Sequence, residues 1–179
     1  MNRKSLFIAR LSLLIAVTLS IQTLGLPQPV TGPLINTLLF LTSAFLGIPA
    51  GITLGLITPV VALIRGQLPI ILAPMVPFIV LGNASLVLIY SLVDWILCAH
   101  TQKQWVLLVP ITCASTGKFL LLLLSVRIVV PLIIGHRLPR HFELMMTLPQ
   151  LLTALIGGII FLILLRFIKY GALIKTESL

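Results

Sequence analysis

Lys118 is the residue whose position most demands a chemical explanation. It stands about midway along an apolar run from Trp105 to Val130, which puts it near the centre of the bilayer if that run spans one. A lysine there costs about 2.5–3.5 kcal/mol on insertion scales, so it should face a cavity or a partner. Helical spacing places Ala114, Ser115, Leu122 and Ser125 on its face, small and partly polar residues suited to a cavity wall. No acid stands opposite, because Asp94 falls towards the far end of the preceding apolar run. A bound anion or carbonyl would supply the missing partner. Snorkelling, or pairing with backbone carbonyls, is the competing account.

Asn83 comes second. It shares a helical stripe with Tyr90 and Asp94, and antiparallel packing would bring it to the depth of Lys118. Its amide offers two donors and an acceptor, which suits a heterocycle or amide ligand, or equally a helix–helix hydrogen bond. Tyr90 and Asp94 belong instead to the inner half of the same helix. Gln150, Thr153 and Asn36 are further polar candidates in apolar surroundings, and Arg65 with Gln67 could guard the mouth of a pocket. The stretch Pro27-Gln28-Pro29-Val30-Thr31-Gly32-Pro33 reads as a proline-stiffened loop, either a lid carrying Gln28 and Thr31 or an ordinary tight connection. Arg127 is nine residues beyond Lys118, points to nearly the opposite face and should snorkel to headgroups.

Other chemistries find no support. Cys98 and Cys113 form no CxxC pair and read as small buried apolar side chains. His100, His136 and His141 fall in expected loops and make no HExxH pair, so no metal site is expected. Gly117-Lys118 lacks the upstream glycine and following Ser/Thr of a phosphate loop. The expectation is a chain that is not an enzyme and holds no cofactor.

The elements that would position these residues follow from composition. Of 179 residues, 59% are apolar and 8% charged, with a mean hydropathy of +1.24. A soluble domain carries about 25% charged residues, so this chain is expected to sit in a membrane. The net charge of +9 is dispersed between apolar runs and makes no continuous basic face, which argues against nucleic acid. A spanning helix needs about 20 apolar residues. Helices are expected over about 6–24, 33–46, 48–64, 75–97, 105–130 and 148–168, with a tight turn at Gly47-Ile48-Pro49. The fold class is therefore all-α, a single transmembrane domain over 1–179 forming a six-helix bundle, with five spans as the fallback. The first helix reads as retained, because no A-x-A-like cleavage site follows it.

Orientation follows the lysine and arginine bias of short loops. With six spans, Arg3, Lys4, Arg10, Lys103, Arg166, Lys169 and Lys175 collect on one side, against Arg65, Arg137 and Arg140 on the other. Both termini are therefore expected in the cytoplasm.

Two stripes of small residues recur at spacing four. Ser12, Ala16 and Ser20 share one face of helix one, extended by Thr23, while Gly47, Gly51 and Gly55 repeat the device across Pro49. Small residues let membrane helices approach closely. Each stripe therefore serves either internal packing or the docking of another subunit, and helix one is the better docking candidate.

These features together resemble the substrate-binding S component of an energy-coupling factor (ECF) transporter. The resemblance rests on Leu24-Gly25-Leu26-Pro27 running into Val30-Thr31-Gly32-Pro33-Leu34-Ile35-Asn36. It continues through Leu46-Gly47-Ile48-Pro49-Ala50-Gly51 with Gly55, then Pro77 to Leu81 with Gly82-Asn83, and Lys118. The family's Ala-x-x-x-Ala motif in helix one is matched approximately by Ser12, Ala16 and Ser20. The resemblance implies a six-helix protein of the bacterial plasma membrane that captures a vitamin or related precursor at the outer face. It makes Asn83, Lys118 and Gln150 pocket residues, with Thr31 and Gln28 in a lid, while Asn36 remains a substrate-binding candidate on its own polarity. It also implies a T subunit and two ABC ATPase subunits as partners, with Ser12, Ala16 and Ser20 at the subunit interface. Two alternatives remain, a non-transport scaffold of the MreD-like type and a small stand-alone carrier. The shortage of membrane-embedded acids and the lack of an internal repeat weigh against the carrier.

Overall fold

The computed structural model of the chain describes residues 2–98 and 104–177. His100 and Lys103 lie outside the described residues, as do the side chains of Cys98, Trp105, Lys169 and Lys175. The described chain is helical, with α1 (Arg3–Thr23), α2 (Gln28–Leu46), α3 (Ile48–Ile64) and α4 (Val76–Cys98) in succession. There follow α5 (Leu108–Leu124), α6 (Val130–Ile134), α7 (Arg140–Met145) and α8 (Leu148–Glu177). A 3-10 turn, Ile70–Met75, leads into α4, and a π turn, Ser125–Val129, joins α5 to α6. No strand occurs among the described residues.

Proline and glycine punctuate these elements. Pro27 caps α2 and Pro29 sits in its first turn, where a missing N–H costs nothing. Gly47 ends α2 and begins α3 at φ 86°, a conformation that disfavours a Cβ. Pro131 cannot bond the carbonyl of Arg127, and the helix widens there, so that the N–H of Val130 reaches the carbonyl of Ser125.

Five helical stretches are long and apolar enough to cross a membrane, and the 17-residue α3 is shorter. At 1.5 Å per residue α3 is about 25 Å long, a little under the ~30 Å of hydrocarbon. That length explains the ambiguity between five and six spans. The chain is an all-α, multi-pass membrane protein. Leu13, Leu56, Leu88, Leu120 and Phe167 point outward as a lipid-facing surface.

Several boundaries differ from the sequence expectation. The segment 28–33 is the first turns of α2 and not a loop, because Pro29 and Pro33 supply helical φ and the Thr31 hydroxyl donates to the carbonyls of Leu26 and Pro27. The last helix continues to Glu177, and α7 forms within the expected loop, so His141 is helical. Cys113 is exposed on the outside of α5, where its small apolar side chain meets lipid and not the core.

Two apolar clusters hold the bundle. One centres on Phe40, Tyr90 and Phe161, whose ring centroids lie 5.2–5.7 Å apart, in the half nearer the chain termini. The other gathers Leu72, Met75, Leu122, Val126 and Met146 towards the opposite, loop-bearing end. Close helix contacts set the spacing. A Cβ built on Gly157 of α8 would lie 2.6 Å from the carbonyl oxygen of Pro33, and Thr37 Oγ1 donates to the Gly157 carbonyl at 2.9 Å.

Candidate functional site

A seam of polar side chains crosses the bundle at the loop-bearing end, and it begins with a proline. Pro59 in α3 has no N–H to give the carbonyl of Gly55, one turn earlier. Gly55 also lacks a side chain, so α4 approaches until a Cβ there would lie 2.9 Å from Cβ of Asn83. Asn83 uses that approach. Its Nδ2 donates to the Gly55 carbonyl at 3.0 Å and to Thr58 Oγ1 at 3.3 Å. With the amide nitrogen committed to acceptors, Oδ1 is turned towards α5.

Lys118 Nζ donates to Asn83 Oδ1 at 2.8 Å and to Asn36 Oδ1 at 2.7 Å. Asn36 is fixed in the same manner, its Nδ2 donating to the Gly32 carbonyl at 2.9 Å. On the other flank, Gln22 of α1 donates through Nε2 to the Thr58 carbonyl at 2.8 Å. Gln22, Thr58, Asn83, Lys118 and Asn36 thus link α1, α3, α4, α5 and α2 in one chain of hydrogen bonds. All five residues are buried. Pairing each amide nitrogen with a backbone carbonyl helps make such a seam tolerable in an apolar interior.

Above the seam lies a cavity of about 430 Å³, open at the loop-bearing end. Leu26, Ile35, Pro59, Ala62, Leu68, Ile79 and Met146 give it an apolar wall. Gln28, Thr31, Arg65, Gln67 and Gln150 contribute polar groups. Lys118 and Arg65 are the charged residues of the lining, and no acid lines it among the described residues. Its volume is at the low end of the range of about 300–1,000 Å³ typical of small-molecule sites. No group of His, Cys, Asp or Glu suited to a metal occurs among the described residues.

Of the residues singled out in sequence, Lys118, Asn83, Asn36, Gln150, Thr31 and Gln28 line this cavity, while Thr153 is buried outside it with its hydroxyl donating to the Gln150 carbonyl. Their parts in it differ. Asn36, a minor candidate in sequence, is a direct partner of Lys118. Thr31 spends its hydroxyl on the start of α2, and it and Gln28 form wall and not lid. Arg65 and Gln67 lie in the connection after α3 and also line the cavity. The face of α5 around Lys118 does not form the expected wall. Ala114, Ser115, Leu122 and Ser125 are buried in packing, and of α5 only Lys118 reaches the cavity. Sequence reading passed over Gln22 and Thr58. Their signals were an amide one turn from the end of an apolar helix and the Gly55–Pro59 spacing that frees a carbonyl.

Compared with known proteins, the chain matches no family model, no curated protein and no solved structure.

The two small-residue stripes go different ways. Gly51 and Gly55 pack internally on Val87 and Asn83 of α4. Ser12, Ala16 and Ser20 are all exposed. The Ser20 hydroxyl donates to the Ala16 carbonyl at 2.9 Å, so this face of α1 presents little free polarity. Only Thr18 and Gln22 of α1 are buried. Arg127 is exposed, as expected, and bonds Glu143 at 3.1 Å; this pair lines a separate surface cleft with Arg137 and Arg140.

Proposed function

We propose that this chain is the membrane-embedded substrate-binding subunit of an ECF-type importer in the bacterial plasma membrane. In this reading it captures a vitamin or related small precursor at the outer face and relies on a T subunit and two ABC ATPase subunits for ATP-driven uptake. One observation carries the reading. A lysine fixed by two asparagines forms the floor of a cavity that opens at the end of the bundle away from the termini. A scaffold has no use for a lysine held there at a cost of about 2.5–3.5 kcal/mol. The loop charges favour that end as the outer one. The exposed Ser12, Ala16 and Ser20 face supports a docking role for α1, since no described residue buries it.

The deciding experiment is reconstitution in liposomes with and without T and ATPase subunits, measuring uptake of labelled vitamins and precursors. Saturable binding by the chain alone, with uptake only when the partners and ATP are added, is the expected result. Uptake by the chain alone would establish a carrier, and the absence of any saturable binding would leave the scaffold.

A further inference from the structure

We infer that the ligand of this cavity is a small, non-aromatic organic monoanion whose carboxylate sits on Lys118 and whose body offers a hydrogen-bond donor to Gln22 and a polar group to Gln67. The inference rests on the cavity being a ligand site, as proposed above, and names the class of molecule it takes.

The charge follows from what surrounds Lys118. An ammonium has three donors, and Lys118 gives two of them to Asn36 and Asn83. Both acceptors are neutral amide oxygens, so they supply geometry without charge. No acid lines the cavity among the described residues, while Arg65 adds a second cation at its exposed edge. Burying an unpaired charge is costly, and a complementary charge that also accepts a hydrogen bond offsets that cost best. A carboxylate on the third donor does both.

The rest of the ligand follows from atoms left unpaired. Gln22 Oε1 and Gln67 Nε2 are buried without a hydrogen-bond partner, and both residues line the cavity. Gln22 cannot turn its amide over to help itself, because Nε2 is held by the Thr58 carbonyl at 2.8 Å. It therefore presents a fixed acceptor, whereas the Gln67 amide, held by no hydrogen bond among the described residues, can turn either its donor or its acceptor to a ligand. An amide, ureido or hydroxyl-bearing body satisfies both. No Phe, Tyr or Trp lines the cavity among the described residues, so there is no stacking platform for an extended aromatic ring system. The volume of about 430 Å³ limits the body to a compact molecule.

The test uses pairs of compounds that differ only at the acid: butyrate and butyramide, pantothenate and panthenol, biotin and biotinamide. The second and third pairs also carry donors and acceptors on a non-aromatic body. Purified protein is titrated with each, reading equilibrium binding and thermal stabilisation. The expected result is binding of the carboxylate at least about tenfold tighter than its neutral partner in one or more pairs, as a charge-assisted hydrogen bond provides. That ratio should collapse towards one in Lys118→Gln. Neutral partners binding as tightly as the acids would overturn the inference and leave the pocket standing. Failure of every member of all three pairs to bind would overturn the inference and the pocket reading together. If Lys118→Gln does not fold, the acid-to-neutral ratio in the wild-type protein decides alone.

Discussion

Asn83 donates through Nδ2 to the backbone carbonyl of Gly55 at 3.0 Å, and that bond turns its amide oxygen to Lys118. The carbonyl is free because Pro59 has no N–H to offer it. The bond commits the amide nitrogen of Asn83 to α3 and leaves its oxygen for Lys118, 2.8 Å away. A broken hydrogen bond in one helix thereby becomes the positioning device for a charge in another.

Gly55→Ala should uncouple this device. The added methyl would lie 2.9 Å from Cβ of Asn83 and force α4 away from α3. Overpacking of this kind costs about 1–3 kcal/mol. Thermal unfolding in detergent should shift downward, and ligand binding should weaken as Asn83 loses its register. Gly25→Ala is a useful contrast, because open space surrounds that position and only its φ of 65° is strained.

Lys118→Met should separate stability from binding. Methionine keeps the unbranched stem, ending one atom short of the ammonium, and removes a buried charge that has only neutral partners. Asn36 and Asn83 keep the bonds made by their amide nitrogens. Two acceptors lose a donor, at about 1–3 kcal/mol each if left dry, but the cavity gives both access to water. The ligand-free variant should melt within a few degrees of the wild type, while affinity for a carboxylate ligand falls at least about tenfold. A large drop in ligand-free melting temperature would show that Lys118 is structural.

Asn36→Asp should build the missing counter-charge into the protein. A carboxylate at this position would be within hydrogen-bond reach of Lys118 Nζ, which lies 2.7 Å from Asn36 Oδ1 in the wild type. It would compete with an anionic ligand for the same ammonium. Isothermal titration should show carboxylate binding reduced by about tenfold or more, as loss of a charge-assisted bond requires. Neutral analogues should be far less affected.

Arg65→Gln should act on kinetics. The side chain is exposed and lines the cavity, so it contributes to the field that an anion meets on approach. Stopped-flow association of an anionic ligand at low salt should slow about threefold to tenfold, with a flatter dependence on ionic strength. Dissociation should change little, because the deep contacts remain.

Ala16→Trp addresses the partner surface. Ala16 is exposed on α1 and makes no buried contact, so the bundle should fold and bind ligand normally. Co-purification with T and ATPase subunits should fall sharply. Retained co-purification would remove this face of α1 from the interface.

Much of the helical layout was legible because membrane spans write themselves as long apolar runs, and α3, α4 and the start of α8 lie close to where those runs placed them. Lys118 and Asn83 stood out for the same reason, as polar groups against an apolar background. The start of α2 did not, since proline and glycine between 27 and 33 mark a loop and a first helical turn alike. The role of Asn36 was hidden because one asparagine looks like another until the opposing helix is placed. Gln22 and Thr58 were hidden differently: Gln22 bonds the backbone carbonyl of Thr58, and the Thr58 hydroxyl sits at the Gly55 carbonyl that Pro59 frees, so neither partner has a side-chain signature. The face around Lys118 misled, because Ser115 and Ser125 look like wall but are small enough to pack.

The sparse burial of α1 has a mechanical consequence. Apart from Thr18, its buried contribution is Gln22, and Gln22 is tied to the floor of the cavity through Thr58 and Asn83. Leu14, Ile15 and Ile21 pack part of one face of α1 against the aromatic cluster, and Gln22 bonds its end to the seam. A partner seated on the stripe of Ser12, Ala16 and Ser20 would share this helix with Gln22, which bonds the carbonyl of Thr58, the residue whose hydroxyl accepts from Asn83. Contact with such a partner and grip on a ligand would then meet at a single glutamine.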